Sequence, residues 1–281
     1  MEAWPIGVFA SVDAGLGVKW NVIEELGLPT IQLHAPHGDK RDQKTAQGLR
    51  KQLDDLGVRC TAVFGGFDGE SYADIPTVKK TIGLVPHKTR QSRLDEMRQI
   101  ADFTKHLGCD AVALHLGFIP EDASTALYDQ LVKATSQLCD HCAGNDQFLH
   151  LETGQETAEG LLEFMASVGC ENLKINFDPA NMILYGTGEP IAALRKLSHH
   201  IRSVHCKDGT WSDEPGVTFG KEVPLGKGDV NIPLYLKTLF EIGYTGPLTI
   251  EREIPEDPVR QKQEIGQAVE LLEALRTQYL G

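Results

Sequence analysis

The chain has 281 residues, 41% hydrophobic and 24% charged, with a formal net charge of −13. That length and balance suit an ordinary globular protein, either one large α/β barrel or two modest domains. An acidic surface repels phosphate backbones and argues against nucleic acid as a partner. The start, Met1-Glu2-Ala3-Trp4-Pro5, has no basic segment and no long apolar run. Neither a signal peptide nor a membrane span is expected, and the cytoplasm is the expected location.

In chain order, strand-like and helix-like patterns alternate without a low-complexity linker or composition break. Strands are expected over 6–11, 30–36, 58–65, 110–117, 148–154, 173–179, 201–208 and 247–253. Helices are expected over 42–56, 92–107, 124–142, 157–168, 190–197, 232–242 and 259–279. Gly57, Gly108 and Gly243 fall where helices should stop. Eight strands with helices between them predict a single (β/α)8 TIM barrel of the α/β class, one domain over 1–281. The six cysteines are scattered through these elements, which fits reduced, buried thiols better than a disulfide framework. Cys139-Asp140-His141-Cys142 has redox-motif spacing but falls at the end of a helical pattern.

Four late strands each end in one metal-binding side chain: Glu152, Asp178, His205 and Glu251. Three carboxylates and one imidazole form a donor set for a divalent cation. Strand alternation supports a common direction for them. If Glu152, Asp178 and Glu251 point inward, the apolar residues beside them face the helices. The same rule turns His115 and His34 inward, with Leu114 and Leu33 outward. In barrels of this kind the C-terminal rim of the strands carries the site.

On these residues the chain resembles the xylose-isomerase-like TIM barrels, which include ketose 3-epimerases, hydroxypyruvate isomerase, inosose isomerase and dehydratase, and endonuclease IV. The specific pieces are Leu151-Glu152-Thr153, Asn176-Phe177-Asp178-Pro179-Ala180-Asn181, Val204-His205-Cys206-Lys207-Asp208, the glycine-rich run Pro224 to Asn231, and Ile250-Glu251. The resemblance implies one divalent metal ion (manganese, zinc, cobalt or magnesium) on Glu152, Asp178, His205 and Glu251. It implies that Glu152 and Glu251 are the acid–base pair on opposite faces of a bound sugar, working through an enediolate. Relatives are often homodimers or homotetramers.

Departures from the family pattern narrow the choice. Asn181 stands where many members carry a histidine, and Asp229 is followed by Val230 and Asn231, so the extra zinc ligands of endonuclease IV are missing. Trp211 replaces the arginine that ketose epimerases place six residues past the metal histidine. Ala158 replaces their second carboxylate, with Glu156 nearby. The expected substrate contacts are His34, Phe67, His115, Asn181, Lys207 and Trp211. Trp211 would open a lid over 210–226. Lys207 has two readings, a donor to substrate or a lysine paired with Asp208 or another rim carboxylate. The glycine-rich run also has two, a phosphate loop or a turn capping the next helix. The expected activity is a metal-dependent isomerase or epimerase acting on a small ketose, polyol-derived ketone or keto-sugar. A lyase of the inosose dehydratase or 3-keto-glycoside eliminase type is the alternative, and a non-catalytic sugar-binding subunit the third.

Overall fold

The computed structural model describes residues 3–13, 17–254 and 257–280. Eight parallel strands close into a barrel: β1 (Ile6–Ser11), β2 (Thr30–His34), β3 (Arg59–Gly65), β4 (Ala111–Leu114), β5 (Phe148–Glu152), β6 (Leu173–Phe177), β7 (Ile201–Cys206) and, after a rim hairpin, β10 (Leu248–Ile250), which closes on β1. The hairpin is β8 (Asp208–Thr210) paired antiparallel with β9 (Lys221–Val223). The helices are α1 (Trp20–Leu26), α2 (Gln43–Leu56), α3 (Ile75–Thr81), α4 (Arg90–Leu107), α5 (Ala126–Gly144), α6 (Ala158–Val168), α7 (Pro179–Tyr185), α8 (Pro190–Leu197), α9 (Ile232–Glu241) and α10 (Pro258–Leu280).

Local chemistry sets the boundaries. Asp42, Asp74, Thr125, Thr157, Asp178 and Asn231 each accept backbone N–H groups at a helix start. Gly57 and Gly108 end α2 and α4 in the left-handed conformation, as expected from sequence. Six of the expected strands stop two or three residues early, for example at Glu152 and Ile250. At the rim the chain bends away from its neighbours, and the sequence keeps its alternating pattern after the hydrogen bonds have ended. The expected lid over 210–226 is held at its base by the β8–β9 hairpin.

Two cores result from strand alternation. Outward residues such as Leu33, Val112, Leu114, Leu151, Ile175 and Ile250 are buried against the helices. Burying each such side chain contributes roughly 1.5–3 kcal/mol. Inside the barrel, Phe9, Ala62, Phe64, Ala111 and Ala113 form a separate small cluster. All six cysteines are free. Among the described residues no helix is long and apolar enough to cross a membrane.

Candidate metal centre and its cavity

Glu152 ends β5, Asp178 follows β6, His205 lies in β7 and Glu251 follows β10. One donor atom from each lies within 4.8 Å of the others. That is the span a single ion with ligand distances of about 2.0–2.4 Å can bridge. His205 Nδ1 has three carboxylate oxygens around it: Glu152 Oε1 at 3.0 Å, Asp178 Oδ2 at 3.2 Å and Glu251 Oε2 at 3.0 Å.

The opposite ring nitrogen fixes the tautomer. His205 Nε2 lies 2.6 Å from Gln32 Oε1, an acceptor, so Nε2 carries the proton. Gln32 is held in that orientation because its Nε2 donates to Asn176 Oδ1 at 3.1 Å. Ser203 Oγ donates to the same Asn176 oxygen at 2.7 Å and touches His150 Nδ1 at 2.9 Å. That leaves Nδ1 as the nitrogen turned to the three carboxylates. Burial opposes charge on the ring, but Glu251 and Glu152 outweigh it and raise the His205 pKa well above 6.5. The centre thus calls for positive charge, which a proton on Nδ1 supplies in the absence of an ion and a divalent ion would supply in its place. The donor set and its geometry therefore fit a divalent ion.

Local structure aims each ligand. Asp178 Oδ1 caps α7 by accepting Asn181 N–H at 2.9 Å, which leaves Oδ2 for the centre. Thr153 locks the ends of β5 and β6 together: its hydroxyl donates to Asp178 O and accepts Asp178 N–H. Asn181 Nδ2 lies 3.3 Å from Glu152 Oε1. The second Glu152 oxygen, Oε2, is 2.8 Å from His115 Nε2. Burial works against charge at His115, but the Glu152 carboxylate outweighs it and raises the imidazole pKa to about 9. Gln155 Nε2 contacts His115 Nδ1 at 3.2 Å.

On the other flank Lys207 Nζ is 3.1 Å from Glu251 Oε2, 3.7 Å from Glu253 and 3.8 Å from Glu222. Burial opposes its charge, yet Glu251, Glu222 and Glu253 hold its pKa well above the ordinary value. Of its two expected readings, the structure shows pairing with rim carboxylates, though not with Asp208. The Asp208 carboxylate instead accepts the N–H groups of Gly226, Gly228 and Val230. The glycine-rich run thus has its anion supplied by the chain itself and is a structural turn. A Cβ on Gly228 would meet Asp208 Oδ1 at 2.3 Å, which explains glycine there.

Beside the centre a cavity of about 350 Å³ opens at the C-terminal mouth of the barrel. His34, His115, Asn181 and Lys207 reach it, with Glu152 and Glu251. His34 Nδ1 donates to Ala35 O at 3.0 Å, leaving Nε2 as an acceptor, and burial lowers its pKa. Two expected contacts do not reach the cavity. Phe67 is buried with the Arg93 guanidinium over its ring at 5.0 Å. Trp211 lines a separate pocket formed by the hairpin loop. A position counted from a strand end says little about loop direction, because each loop turns independently. Gln32, Tyr72, Tyr185, Phe219, Glu222 and Glu253 were not singled out from sequence. Gln32 was recoverable, since it shares the inward face of β2 with His34; the loop residues left no comparable signal.

A family model described as xylose isomerase-like TIM barrel matches residues 20–277, and the chain belongs to that family. A crystal structure of a xylose isomerase domain protein from Planctomyces limnophilus is 56% identical, covers 99% of both chains and superposes with a TM-score of 0.97. A D-tagatose 3-epimerase-like protein shares the fold at 21% identity and TM-score 0.71, covering 98% of this chain and 99% of that one. An inosose dehydratase from Clostridium botulinum (strain Alaska E43 / Type E3) is 32% identical over 120 residues, 39% of each sequence. The chain spans less than two thirds of the length of the curated relatives it matches.

Proposed function

We propose that this xylose isomerase-like barrel is a divalent-metal-dependent sugar isomerase or epimerase acting on a ketose, polyol-derived ketone or keto-sugar. The observation that carries the reading is the crowding of three carboxylate oxygens around Nδ1 of the buried His205, two of them from Glu152 and Glu251, which line a cavity of sugar-binding size. Glu152, Asp178, His205 and Glu251 would hold the ion. When bound, a divalent ion polarises a carbonyl and its neighbouring hydroxyl and so acidifies the C–H between them.

Glu152 and Glu251 take the proton-transfer roles. They sit on opposite flanks of His205, Glu152 beside His115 and Glu251 beside Lys207. One carboxylate oxygen removes the hydrogen next to the carbonyl, and the other returns a proton from the second face. Return to the same carbon inverts it; return to its neighbour, with the hydroxyl proton passing to the former carbonyl oxygen, moves the carbonyl. His115 steadies Glu152 Oε2, Lys207 offsets charge at Glu251, and His34 Nε2 and Asn181 would orient substrate hydroxyls.

A lyase is the second reading, and Lys207 is the observation in its favour. An ammonium in the cavity wall 3.1 Å from Glu251 is placed to donate a proton to a departing oxygen. The similarity of one segment to an inosose dehydratase points the same way.

Proton NMR in deuterated water separates these readings. The metal-loaded protein is given a panel of ketoses and 3-keto-sugars. Deuterium entering the carbon beside the carbonyl is the expected result. Loss of water or of an aglycone establishes a lyase, and the absence of both leaves only a binding role.

A further inference from the structure

Resting on the site reading above, we infer that the substrate is an uncharged, unphosphorylated sugar that carries a second ring or a comparably sized apolar substituent. The first argument is charge. Five glutamates line the cavity, Glu70, Glu152, Glu222, Glu251 and Glu253, against the cations Lys207 and Arg252. Both cations are spent. Lys207 faces three of those carboxylates. Arg252 is 2.7 Å from Glu222 and 2.8 Å from Glu264. His115 is engaged with Glu152, and His34 has its N–H on Ala35 O. Every lysine and arginine of the chain lies among the described residues, so no such side chain outside them alters the count. A divalent ion held by Glu152, Asp178, His205 and Glu251 would be outweighed by their three carboxylates, and Glu70, Glu222 and Glu253 stay in the wall beside it.

A phosphate monoester brings about −1.5 to −2 charges. It would have to break one of these ion pairs and then sit among carboxylates at short range, where screening is weak. Neutral hydroxyls suit the same wall, because each donates a proton and carboxylates accept. A sugar can therefore bind Glu222 and Glu253 without displacing their partners.

The second argument is size and shape. A free hexose has about a dozen non-hydrogen atoms and fills roughly 200 Å³ at protein packing density, against a cavity of about 350 Å³. The uncharged part of the same wall includes Tyr72, Leu184, Tyr185 and Phe219. None of these bears a charge. Tyr185 is fixed edge-on by Phe219 at 5.1 Å and Phe118 at 5.7 Å, so that part of the wall is rigid. Tyr72 stays 49% exposed at the rim, with its ring 6.1 Å from that of His115. Aromatic faces of this kind pack on the apolar face of a ring. The cavity thus has room beyond one sugar, and its wall carries both the polar groups of the centre and an aromatic set suited to a ring substituent.

Calorimetric titration of the magnesium-loaded chain tests this without turnover. The probes are phenyl β-D-glucopyranoside, glucose and glucose 6-phosphate. The expected order is glucoside tightest, then glucose, then the phosphate at least about tenfold weaker than glucose. Tyr72→Ala should remove most of the glucoside's advantage. The inference is overturned by a phosphate that binds as tightly as glucose, by a glucoside with no advantage, or by no binding of any probe at millimolar concentration. Because binding is read directly, a failure of deuterium exchange with this order intact sinks only the proton-transfer reading. Exchange with the order reversed sinks only the present one.

Discussion

The inside of the barrel carries two sets of side chains of opposite character, an apolar half and a polar half, which interleave at β2 between β1 and β3. On β1, β3 and β4 it is Phe9, Ala62, Phe64, Ala111 and Ala113. On β2 and β5 to β7 it is Gln32, His150, Asn176, Ser203 and His205, joined by hydrogen bonds. The halves meet at His205, whose ring stacks on Phe64 at 5.3 Å and meets Phe9 edge-on at 5.9 Å. The apolar half fixes where the ring lies, and the polar half fixes which nitrogen faces the carboxylates. A metal ligand needs both, since position without the right tautomer leaves a proton where the ion should be.

The largest test of the comparison acts where the polar half opens into the cavity. Glu251→Gln keeps the shape and an oxygen donor but removes the basic carboxylate. Turnover should fall about 10²–10⁴-fold, the usual size of a general acid–base contribution, with the fold and some metal binding retained. Near-normal turnover on the true substrate would make Glu251 a ligand only and move the search for a base to His115 and Lys207.

Gln32→Leu carries the apolar character across the boundary. It strips the acceptor from His205 Nε2 and frees the ring to change tautomer. Metal affinity should drop about 10–100-fold, the range for partners of metal-bound histidines. Gln32→Glu, which restores an acceptor, should recover most of it. Isothermal titration with manganese reads both. Equal affinity for the wild type and Gln32→Leu would mean that the hydrogen bond does not set the tautomer. Phe64→Leu perturbs the other half. It should cost about 1–2 kcal/mol in denaturant unfolding, as a buried side chain loses volume, and, because the ring stacks directly on His205, it should also lower metal affinity, by less than Gln32→Leu does. Unchanged metal affinity would show that the apolar half supports the fold without placing the ligand.

The same division explains what could be read from the sequence. All eight strands and seven of the helices are visible in it, because alternation and 3.6-residue periodicity persist over long enough runs. The helices α1, α3 and α7 have seven residues each, too few to display a helical period. Glu152, Asp178, His205 and Glu251 stand out because charges at the ends of apolar strands are expensive unless they serve a purpose. Phe67 and Trp211 were misplaced because loop conformation is set by tertiary contacts, here Arg93 over Phe67 and the hairpin pocket around Trp211. Gln32 shows a different failure. Its face was known from His34, but an amide carries no charge to draw attention, and its importance lies entirely in what it touches.

Glu156 offers the smallest effect and a control outside the polar half. Its carboxylate lies under the 118–119 segment and accepts one N–H, from Ile119 at 3.2 Å. Burial outweighs that bond and raises its pKa from 4.5 to about 7. The folded chain therefore holds this proton at pH values where the unfolded chain has released it. Stability from this group is undiminished below about pH 4.5, falls as pH rises toward 7, and stays low above that. The side chain is partly exposed, so the loss should be about 1 kcal/mol rather than the full shift. Glu156→Gln is neutral at every pH and keeps an oxygen for Ile119. It should melt higher than the wild type at pH 8 and close to it at pH 4.5, which thermal unfolding at the two pH values would show. A variant that melts lower at pH 8 would mean that the ionised carboxylate has a favourable partner, and that uncompensated burial does not describe this corner of the molecule.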